Sequence, residues 1–293
     1  MGKARRELVA DEAVVLGAGD RPGPPPLRFE VADGGRMALR QGERILLLGR
    51  VEAWNQGVYL QRYEGYRPPL PPVRSAAMQG AVNWVHTYAR WLDEAREGPL
   101  HDSRWHLRAR NQFPPYVWHA EDFIRHWPTC HLDWSGKGWH GVVPLRPLSP
   151  PDAGRVKAYR KHARDGTLAP VLLWWVTALD GWLLLDGHDR AVAALAEGRA
   201  PPCVVLTRLP EDEDWRRTAD EVTEGHRKRL DRPAARPAAS GVEGQQETML
   251  RTYADTLAGL PYREARTRSW PLPGGAPAWD VLAAAAMFEF PRD

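Results

Sequence analysis

The sequence predicts a mixed α/β protein of the α+β class, and three observations support this prediction. Short apolar segments separated by turn signals fill residues 10–65. A strand, a helix, a hairpin, a second helix and a further strand follow one another over residues 141–210. Helical patterns dominate residues 211–293. Strand and helix patterns alternate in the middle of the chain, whereas strand patterns dominate its beginning and helix patterns its end. Neither an all-helical nor an all-strand fold is therefore expected.

The composition excludes several classes of protein. The chain has 293 residues, and its 40 basic and 37 acidic side chains leave a formal charge of only +3. This balance argues against a general electrostatic coat for DNA, although a local basic patch is compatible with it. Two cysteines, Cys130 and Cys203, make neither a disulfide framework nor, alone, a structural zinc site. The longest apolar run, residues 168–179, is too short to span a bilayer, and no secretory signal is visible, so we expect a cytoplasmic protein of bacterial type.

The first 100 residues are predicted to be a β-rich region with one long helix. An Asp33-Gly34-Gly35 step is typical of a tight hairpin, and a proline-rich connection leads into a helix near Ala76–Arg96, with apolar residues at spacings of three and four. The predicted strands are LRFEVA, MALR, RILLLGRV and GVYLQRY.

A second segment, residues 101–210, begins with a stretch rich in histidine and tryptophan. Residues 101–140 hold six of the ten histidines and five of the 14 tryptophans, and only Glu121–Trp127 has a helical pattern, so the remainder is expected to be loop. Three interpretations stay open: a metal site, an aromatic and basic surface for bases or an acidic partner, and a packed wall of tryptophan. The metal ligands would be His126, Cys130 and His131 with His119 or His140, and the basic residues would be Arg104, Arg108, Arg110 and Arg125. A glycine-rich loop at the end of this stretch contains Lys137, which could close over a ligand.

The most informative pattern is the strand Leu183-Leu184-Leu185, followed by Asp186-Gly187-His188-Asp189-Arg190 and an apolar helix. A helix that begins directly after a glycine turn directs unpaired backbone N–H groups at one point, where an anion can bind. Arg190 could add charge-assisted hydrogen bonds to a phosphate, and His188 could donate a hydrogen bond or carry a proton.

Around this motif the sequence predicts a compact α/β unit. Three further tryptophans, Trp174, Trp175 and Trp182, lie on the hairpin that precedes the motif, so the tryptophan excess is expected to form either the wall or the scaffold of the candidate site. The predicted elements are a strand at Val142–Leu145, a helix at Pro151–Arg164, strands at Val171–Val176 and Trp182–Leu185, a helix at Gly187–Gly198 and a strand at Cys203–Leu206.

The third segment, residues 211–293, is predicted to be helical. Its first helix, Glu211–Leu230, carries acidic residues at its start and basic residues at its end, as the helix dipole favours. A Pro/Ala/Gly linker is expected over residues 231–246, followed by a helix near Glu247–Leu260 and an apolar tail.

The motif Asp186-Gly187-His188-Asp189-Arg190 resembles that of the ParB/sulfiredoxin superfamily, in the Asp-Gly-His-His-Arg form with Asp189 in place of the second histidine. Val143-Pro144-Leu145 looks like the opening strand of that family, and Leu168-x-Pro170-Val171 looks like its later strand. The resemblance covers residues 141–208. It implies a ParB/sulfiredoxin-like unit embedded between the β-rich and helical regions.

In that family the junction of loop and helix binds nucleotide phosphates or a phosphorylated substrate. Family activities include CTP-dependent DNA clamps, ATP-dependent reduction of sulfinic acids and phosphorylation of free serine. This chain departs from two of these, because Asp189 or His188 occupies the place of the reactive cysteine of sulfiredoxin and no helix-turn-helix region is evident.

The resemblance therefore implies a nucleotide- or phosphate-binding protein that uses ATP or CTP with Mg²⁺. If the protein is an enzyme, ATP-dependent phosphoryl transfer or nucleotide hydrolysis is the expected class. Gly187, His188, Arg190 and Lys137 would bind the phosphates, Asp186 or Asp189 would hold the metal, and His188 with Asp189 would be catalytic. Two alternatives remain: Asp189 could instead cap the helix or pair with Arg190, and the protein could be a non-catalytic interaction or DNA-associated regulatory protein, including a toxin-neutralising partner.

Overall fold

A computed structural model shows a mixed α/β protein with two β-sheets. The structure describes residues 5–10, 13–52, 56–110, 113, 116–119, 127–134, 140–230, 242–286 and 290. The chain divides into two compact units. The first comprises Met1–Thr207 with Arg266–Asp293, and the second comprises Arg208–Ala265.

One sheet has seven strands and carries the candidate motif. Its strands are β1 (Arg5–Ala10), β2 (Ala13–Ala18), β7 (Ser103–Arg110), β9 (Val142–Pro144), β10 (Val171–Val176), β11 (Gly181–Asp186) and β12 (Cys203–Arg208). The order across the sheet is β1-β2-β7-β12-β10-β11-β9. Strand β10 runs antiparallel to β11 and parallel to β12, and β9 runs parallel to β11.

The other sheet has six strands. They are β3 (Leu27–Ala32), β4 (Arg36–Gln41), β5 (Arg44–Val51), β6 (Gly57–Arg62), β8 (Thr129–Asp133) and β13 (Ser269–Pro271), in the spatial order β13-β3-β4-β5-β6-β8. Neighbouring strands are antiparallel from β3 to β8, whereas β13 joins β3 in parallel.

Among its described residues, the first unit has the α-helices α1 (Trp84–Glu94), α2 (Tyr116–His119), α3 (Gly154–Arg164), α4 (His188–Ala196) and α7 (Gly275–Ala285). The second unit contains α5 (Asp212–Leu230) and α6 (Val242–Gly259). Within the described residues, no helix is both long enough and apolar enough to cross a membrane.

The largest hydrophobic core combines buried side chains of both sheets and of α1. Strand β10 illustrates how alternation distributes its residues: Leu172 and Trp174 belong to this core, whereas Leu173 lies in a separate cluster on the other face with Ala191 of α4. Because successive side chains of a strand point to opposite faces, an apolar residue at nearly every position of β10 indicates a strand buried on both sides.

The strands and helices predicted between residues 141 and 210 are confirmed, as are the four strands predicted between residues 27 and 63 and the helix that ends at Leu230. The long helix predicted over Ala76–Arg96 is shorter in the structure. A 3₁₀-helix covers Ser75–Gln79, and α1 begins only after Asn83, whose side-chain oxygen accepts a hydrogen bond from the His86 N–H at 3.1 Å. The backbone is extended at Gly80, so the regular spacing of apolar residues continues across a point where the helical conformation is interrupted.

The expectation that residues 101–140 are mainly loop was wrong, because β7 and β8 lie within them. Strand β7 places Trp105 and Leu107 on its buried face, two residues apart, which is the period of a strand. Of the helix predicted at Glu121–Trp127, residues 121–126 lie outside the described residues.

The predicted linker at 231–246 also differs from the structure. Residues 231–241 lie outside the described part of the chain, and 242–246 already belong to α6. No proline follows Pro237 in this stretch, and Glu and Gln favour the helix.

The two compact units do not coincide with the three predicted segments. The reason is that strands from distant parts of the chain pair with one another in each sheet. Strand β2, from the first 100 residues, pairs with β7, and β13 joins β3. Helix α7 packs on the same six-stranded sheet through Trp279, whose indole N–H donates to the Met37 carbonyl at 2.9 Å.

Candidate functional site

The candidate motif lies where β11 ends and α4 begins. Gly187 has φ +90°, a left-handed conformation that suits glycine, and α4 starts at the next residue without a side-chain cap. A Cβ atom at Gly187 would lie 2.8 Å from Nη2 of Arg190 and 2.9 Å from Cγ1 of Val171. The glycine therefore permits both the turn and the close approach of Arg190.

The parallel pairing of β9 with β11 brings a second segment to this point. Leu184 pairs with Pro144, so the residues that follow each strand emerge side by side at the same edge of the sheet. The backbone N–H of Leu145 donates to Nε2 of His188 at 3.2 Å. Arg146 thus lies beside the start of α4.

A cavity of about 360 Å³ opens at this junction. Its apolar wall comes from the proline-rich segment before α1, and its polar wall from the motif, the segment after β9 and the first half of α3. The lining residues are Pro68, Leu70, Pro72, Val73, Arg146, Arg155, Tyr159, Asp186, Gly187, His188, Asp189 and Arg190.

Arg190 is buried and held by two partners. Its Nη2 donates to Oδ2 of Asp186 at 2.5 Å, and its Nη1 donates to the hydroxyl of Tyr88 at 3.0 Å. The Tyr88 hydroxyl in turn donates to the Pro170 carbonyl at 2.5 Å. Burial raises the pKa of Tyr88 to about 12, against the opposing effect of the Arg190 charge. Three consecutive hydrogen bonds, which link Pro170, Tyr88, Arg190 and Asp186, therefore fix the guanidinium group of Arg190 in the cavity wall.

Asp189 is surrounded by cationic and polar groups. Its Oδ1 accepts a hydrogen bond from the Ser149 hydroxyl at 2.9 Å and lies 3.2 Å from Nη2 of Arg146. Its Oδ2 lies 3.4 Å from Nε of Arg155. The carboxylate thus ties α4 to both the segment after β9 and to α3.

His188 is 1% exposed, and its two ring nitrogens differ in their surroundings. Because Nε2 accepts the hydrogen bond from the Leu145 N–H, the neutral ring carries its proton on Nδ1. Nδ1 has no hydrogen-bond partner among the described residues. Burial, followed by the charges of Arg146 and Arg190, lowers the pKa of His188 well below its usual value, so the ring is neutral at physiological pH. It can therefore offer a donor to a ligand, whereas its lone pair is already occupied.

The electrostatics of the cavity favour an anion. Three arginines and two aspartates line it, which with a neutral histidine leaves a formal charge of +1. The first N–H groups of α4 lack intrahelical partners, and Nε of Arg146 is buried with no partner among the described residues. Burial also raises the pKa of Asp186, although the charge of Arg190 opposes this shift. Unpaired donors and excess positive charge therefore meet at the start of one helix, an arrangement suited to phosphate.

No family model, curated protein or solved structure matches this chain.

The metal site expected at Asp186 and Asp189 does not fit the surroundings of these carboxylates. Asp186 pairs with Arg190, and Asp189 pairs with Arg146 and Arg155. A divalent cation would have to replace these guanidinium groups and remain close to their charges. Over the part of the chain that the structure describes, no group of three or more His, Cys, Asp or Glu residues is placed to hold a metal ion.

Of the other predicted ligands, the described residues Cys130 and His131 do not line this cavity. Lys137, expected to close over the ligand, lies outside the described residues, as does His126. Cys130 lies in β8 opposite Leu60, and burial raises its pKa to about 12, so a metal-binding thiolate is strongly disfavoured there. His131 contacts Glu52 at 3.3 Å.

The tryptophans of the hairpin, Trp174 and Trp182, belong to the scaffold of the motif and do not line the cavity. The described residues that line the cavity include no tryptophan. Trp174 packs against Phe29 with ring centroids 6.0 Å apart, and Trp182 packs against Phe113 at 5.5 Å. They support the hairpin that carries the motif.

Several residues of the site were not predicted from the sequence, and four of them make side-chain polar contacts with the motif. Arg146, Arg155 and Ser149 lie near or within a segment predicted only as a strand followed by a helix with a basic outer face, and Tyr88 was assigned to the apolar stripe of the first helix. A signal was present for the arginines, since they closely follow the strand that resembles the opening strand of the family. For Tyr88, the sequence carries no comparable signal.

Proposed function

We propose that this protein binds the phosphate group of a nucleotide or of a phosphorylated small molecule in the cavity at Gly187–Arg190. The observation that carries the proposal is the convergence of Arg146, Arg155 and Arg190 on an uncapped helix start beside the unpartnered Nδ1–H of His188. These groups are all donors, and phosphate oxygens are acceptors that two or three charged donors can bind strongly.

The order of elements between residues 141 and 208 supports this proposal. A strand, a helix, a hairpin, a glycine turn and a helix are also what the resemblance to the ParB/sulfiredoxin superfamily implies. In this proposal the ligand phosphate lies at the start of α4, and the segment Pro68–Val73 contacts the rest of the ligand.

The proposal is for binding, and phosphoryl transfer is not part of it. A general base must accept a proton from the attacking hydroxyl. His188 uses its lone pair on the Leu145 N–H, and both aspartates of the cavity are paired with arginines. The groups at the cavity are therefore arranged to hold an anion, and their acceptors are already in use.

Thermal melting with a panel of phosphates tests the proposal. We expect inorganic phosphate or at least one of ATP, ADP, CTP and GTP, each with and without Mg²⁺, to raise the melting temperature at millimolar concentration. A ligand at a hundredfold excess over its dissociation constant stabilises the native state by about 2.7 kcal/mol.

Two variants localise the effect. Arg155 is 61% exposed at its side chain, so Arg155→Gln removes a cavity charge with little effect on packing. Lys157→Gln removes a charge from an exposed residue of the same helix that does not line the cavity. The shift should shrink in the first variant and persist in the second. The absence of a shift with every compound, or an unchanged shift in Arg155→Gln, would contradict the proposal.

A further inference from the structure

We propose that the ligand of this cavity is a small phosphomonoester bound without Mg²⁺, and that Asp189 is an internal anion which the phosphate displaces from Arg146 and Arg155. This inference rests on the proposed function and specifies the substrate class of the same site. It also replaces the metal role that the motif first implied for Asp186 and Asp189.

The contacts of Asp189 indicate where an external anion binds. Its Oδ1 accepts from the Ser149 hydroxyl and faces the guanidinium group of Arg146, and its Oδ2 faces that of Arg155, within the first turn of α4. A hydroxyl, two guanidinium groups and a helix start are the partners that a bound phosphate would use. Asp189 therefore occupies the place of an anionic ligand in this structure.

The arginines can neutralise the negative charge of a bound phosphate, as Mg²⁺ does in many nucleotide sites. Guanidinium groups bind phosphate in bidentate geometry and remain charged at all physiological pH values. Mg²⁺ would need at least one carboxylate together with waters in near-octahedral geometry. Here a carboxylate that turned toward Mg²⁺ would leave its arginine partners facing the metal charge, so binding of the metal-free phosphate is favoured.

The size and lining of the cavity restrict the body of the ligand. A volume of about 360 Å³ lies near the lower end of the usual range for ligand pockets, roughly 300–1,000 Å³. Pro68, Leu70, Pro72 and Val73 supply the apolar part of the lining. A single phosphate with a compact apolar body fits this combination, whereas a triphosphate with Mg²⁺ would place several more charges against an apolar surface.

Calorimetric titration with phenyl phosphate tests this inference, because this compound is a phosphomonoester with a compact apolar body. The wild-type protein should give the same dissociation constant in excess EDTA and in millimolar MgCl₂. Asp189→Asn should bind about fivefold more tightly or better, since a carboxylate close to the phosphate no longer repels it. Asp152→Asn, at an exposed residue outside the cavity, serves as the control and should match the wild-type protein.

The outcomes separate this inference from the proposed function. Equal binding with and without Mg²⁺ together with tighter binding by Asp189→Asn supports the inference. Binding that requires Mg²⁺, or weaker binding by a folded Asp189→Asn, overturns it and leaves phosphate binding intact. If Asp189→Asn does not fold, the comparison of EDTA with MgCl₂ on the wild-type protein decides. Absence of binding by phenyl phosphate, inorganic phosphate and the nucleotides alike overturns the proposed function, and the inference with it.

Discussion

The hydroxyl of Tyr88 accepts a hydrogen bond from Nη1 of Arg190 at 3.0 Å, which joins α1 to the start of α4 across 102 positions of the chain. Both side chains are buried. A buried guanidinium is stable only when its donors have partners, and Tyr88 and Asp186 supply them. The geometry of the candidate site therefore depends on a residue of the N-terminal region.

Tyr88→Phe should destabilise the protein by about 1–3 kcal/mol. The substitution keeps the ring but leaves an N–H of Arg190 and the Pro170 carbonyl without their buried partner. Tyr159→Phe is the matched control, because among the described residues its hydroxyl accepts only from the exposed Arg155, at 3.4 Å, and its loss should cost less than about 1 kcal/mol. Urea unfolding of the two variants measures the difference, and equal costs would contradict the importance of the Tyr88–Arg190 hydrogen bond.

Gly187→Ala should destabilise the protein more than Gly166→Ala. Both glycines have a positive φ, +90° and +71°, so alanine carries backbone strain of roughly 1–2 kcal/mol at each position. Only at Gly187 does the new Cβ also meet Arg190 and Val171, whereas nothing lies within 4 Å at Gly166. The excess cost at Gly187, measured by urea unfolding, reports the close packing of the turn. Two equal costs would show that Arg190 does not approach the turn closely.

The stability of the protein should fall as the pH falls from about 6.5 toward 4. Burial, with a smaller effect of Arg108, lowers the pKa of His106 from 6.5 to about 4 in the folded protein. Within this window the unfolded chain binds a proton at residue 106 and the folded protein does not, so acid favours unfolding. His188 acts in the same direction, and Asp186, whose pKa burial raises, acts in the opposite direction.

His106→Gln isolates this contribution. Between pH 6.5 and 4, the unfolded wild-type chain binds up to about one proton more at residue 106 than the folded protein does. The variant should lack this difference, because all other titratable groups are the same in both proteins. His86→Gln, at an exposed position of α1, should keep the wild-type slope. Free energies of unfolding at pH 7.5, 6 and 5 give the slopes. An unchanged slope in His106→Gln would mean that this residue titrates normally in the folded state.

Helix α7 should contribute to the stability of the first unit through Trp279. Its indole is 1% exposed, lies in a cluster with Ala38 and Leu48 of the six-stranded sheet, and donates to the Met37 carbonyl. Trp279→Ala should therefore cost about 3–5 kcal/mol, while Val281→Ala, at a position that is 71% exposed on the same helix, should cost less than about 0.5 kcal/mol. A small loss in Trp279→Ala, measured by thermal or urea unfolding, would contradict the packing of α7 on this sheet.

Local patterns in the sequence predicted the elements around the motif because their signals are short-range. Strand β10 is a continuous apolar run, and Gly187 marks the turn before α4. Strand β7 was not predicted from the sequence, although Trp105 and Leu107 follow the period of a strand.

The composition of the site depended on long-range pairing that no local pattern encodes. Gly187, His188 and Arg190 could be predicted from their order after a strand. Tyr88 contacts Arg190 and Arg155 lines the same cavity, although they are 102 and 35 residues distant from Arg190 in the sequence. Arg146 and Arg155, the charge partners of Asp189, are also distant from it in the sequence. The sequence alone therefore suggested a metal ligand at Asp189, where the structure shows a carboxylate paired with arginines.

The central claim is that a phosphate group binds among the arginines at the start of α4. Calorimetric titration of phenyl phosphate into the wild-type protein, Arg155→Gln and Lys157→Gln, all in EDTA, tests it most directly. We predict saturable binding to one site by the wild-type protein and Lys157→Gln, and binding about tenfold weaker or worse by Arg155→Gln, because a charge-assisted contact is lost. The absence of saturable binding of phenyl phosphate, inorganic phosphate and the nucleotides alike to the wild-type protein, or equal affinities of phenyl phosphate for the wild-type protein and Arg155→Gln, would contradict the claim.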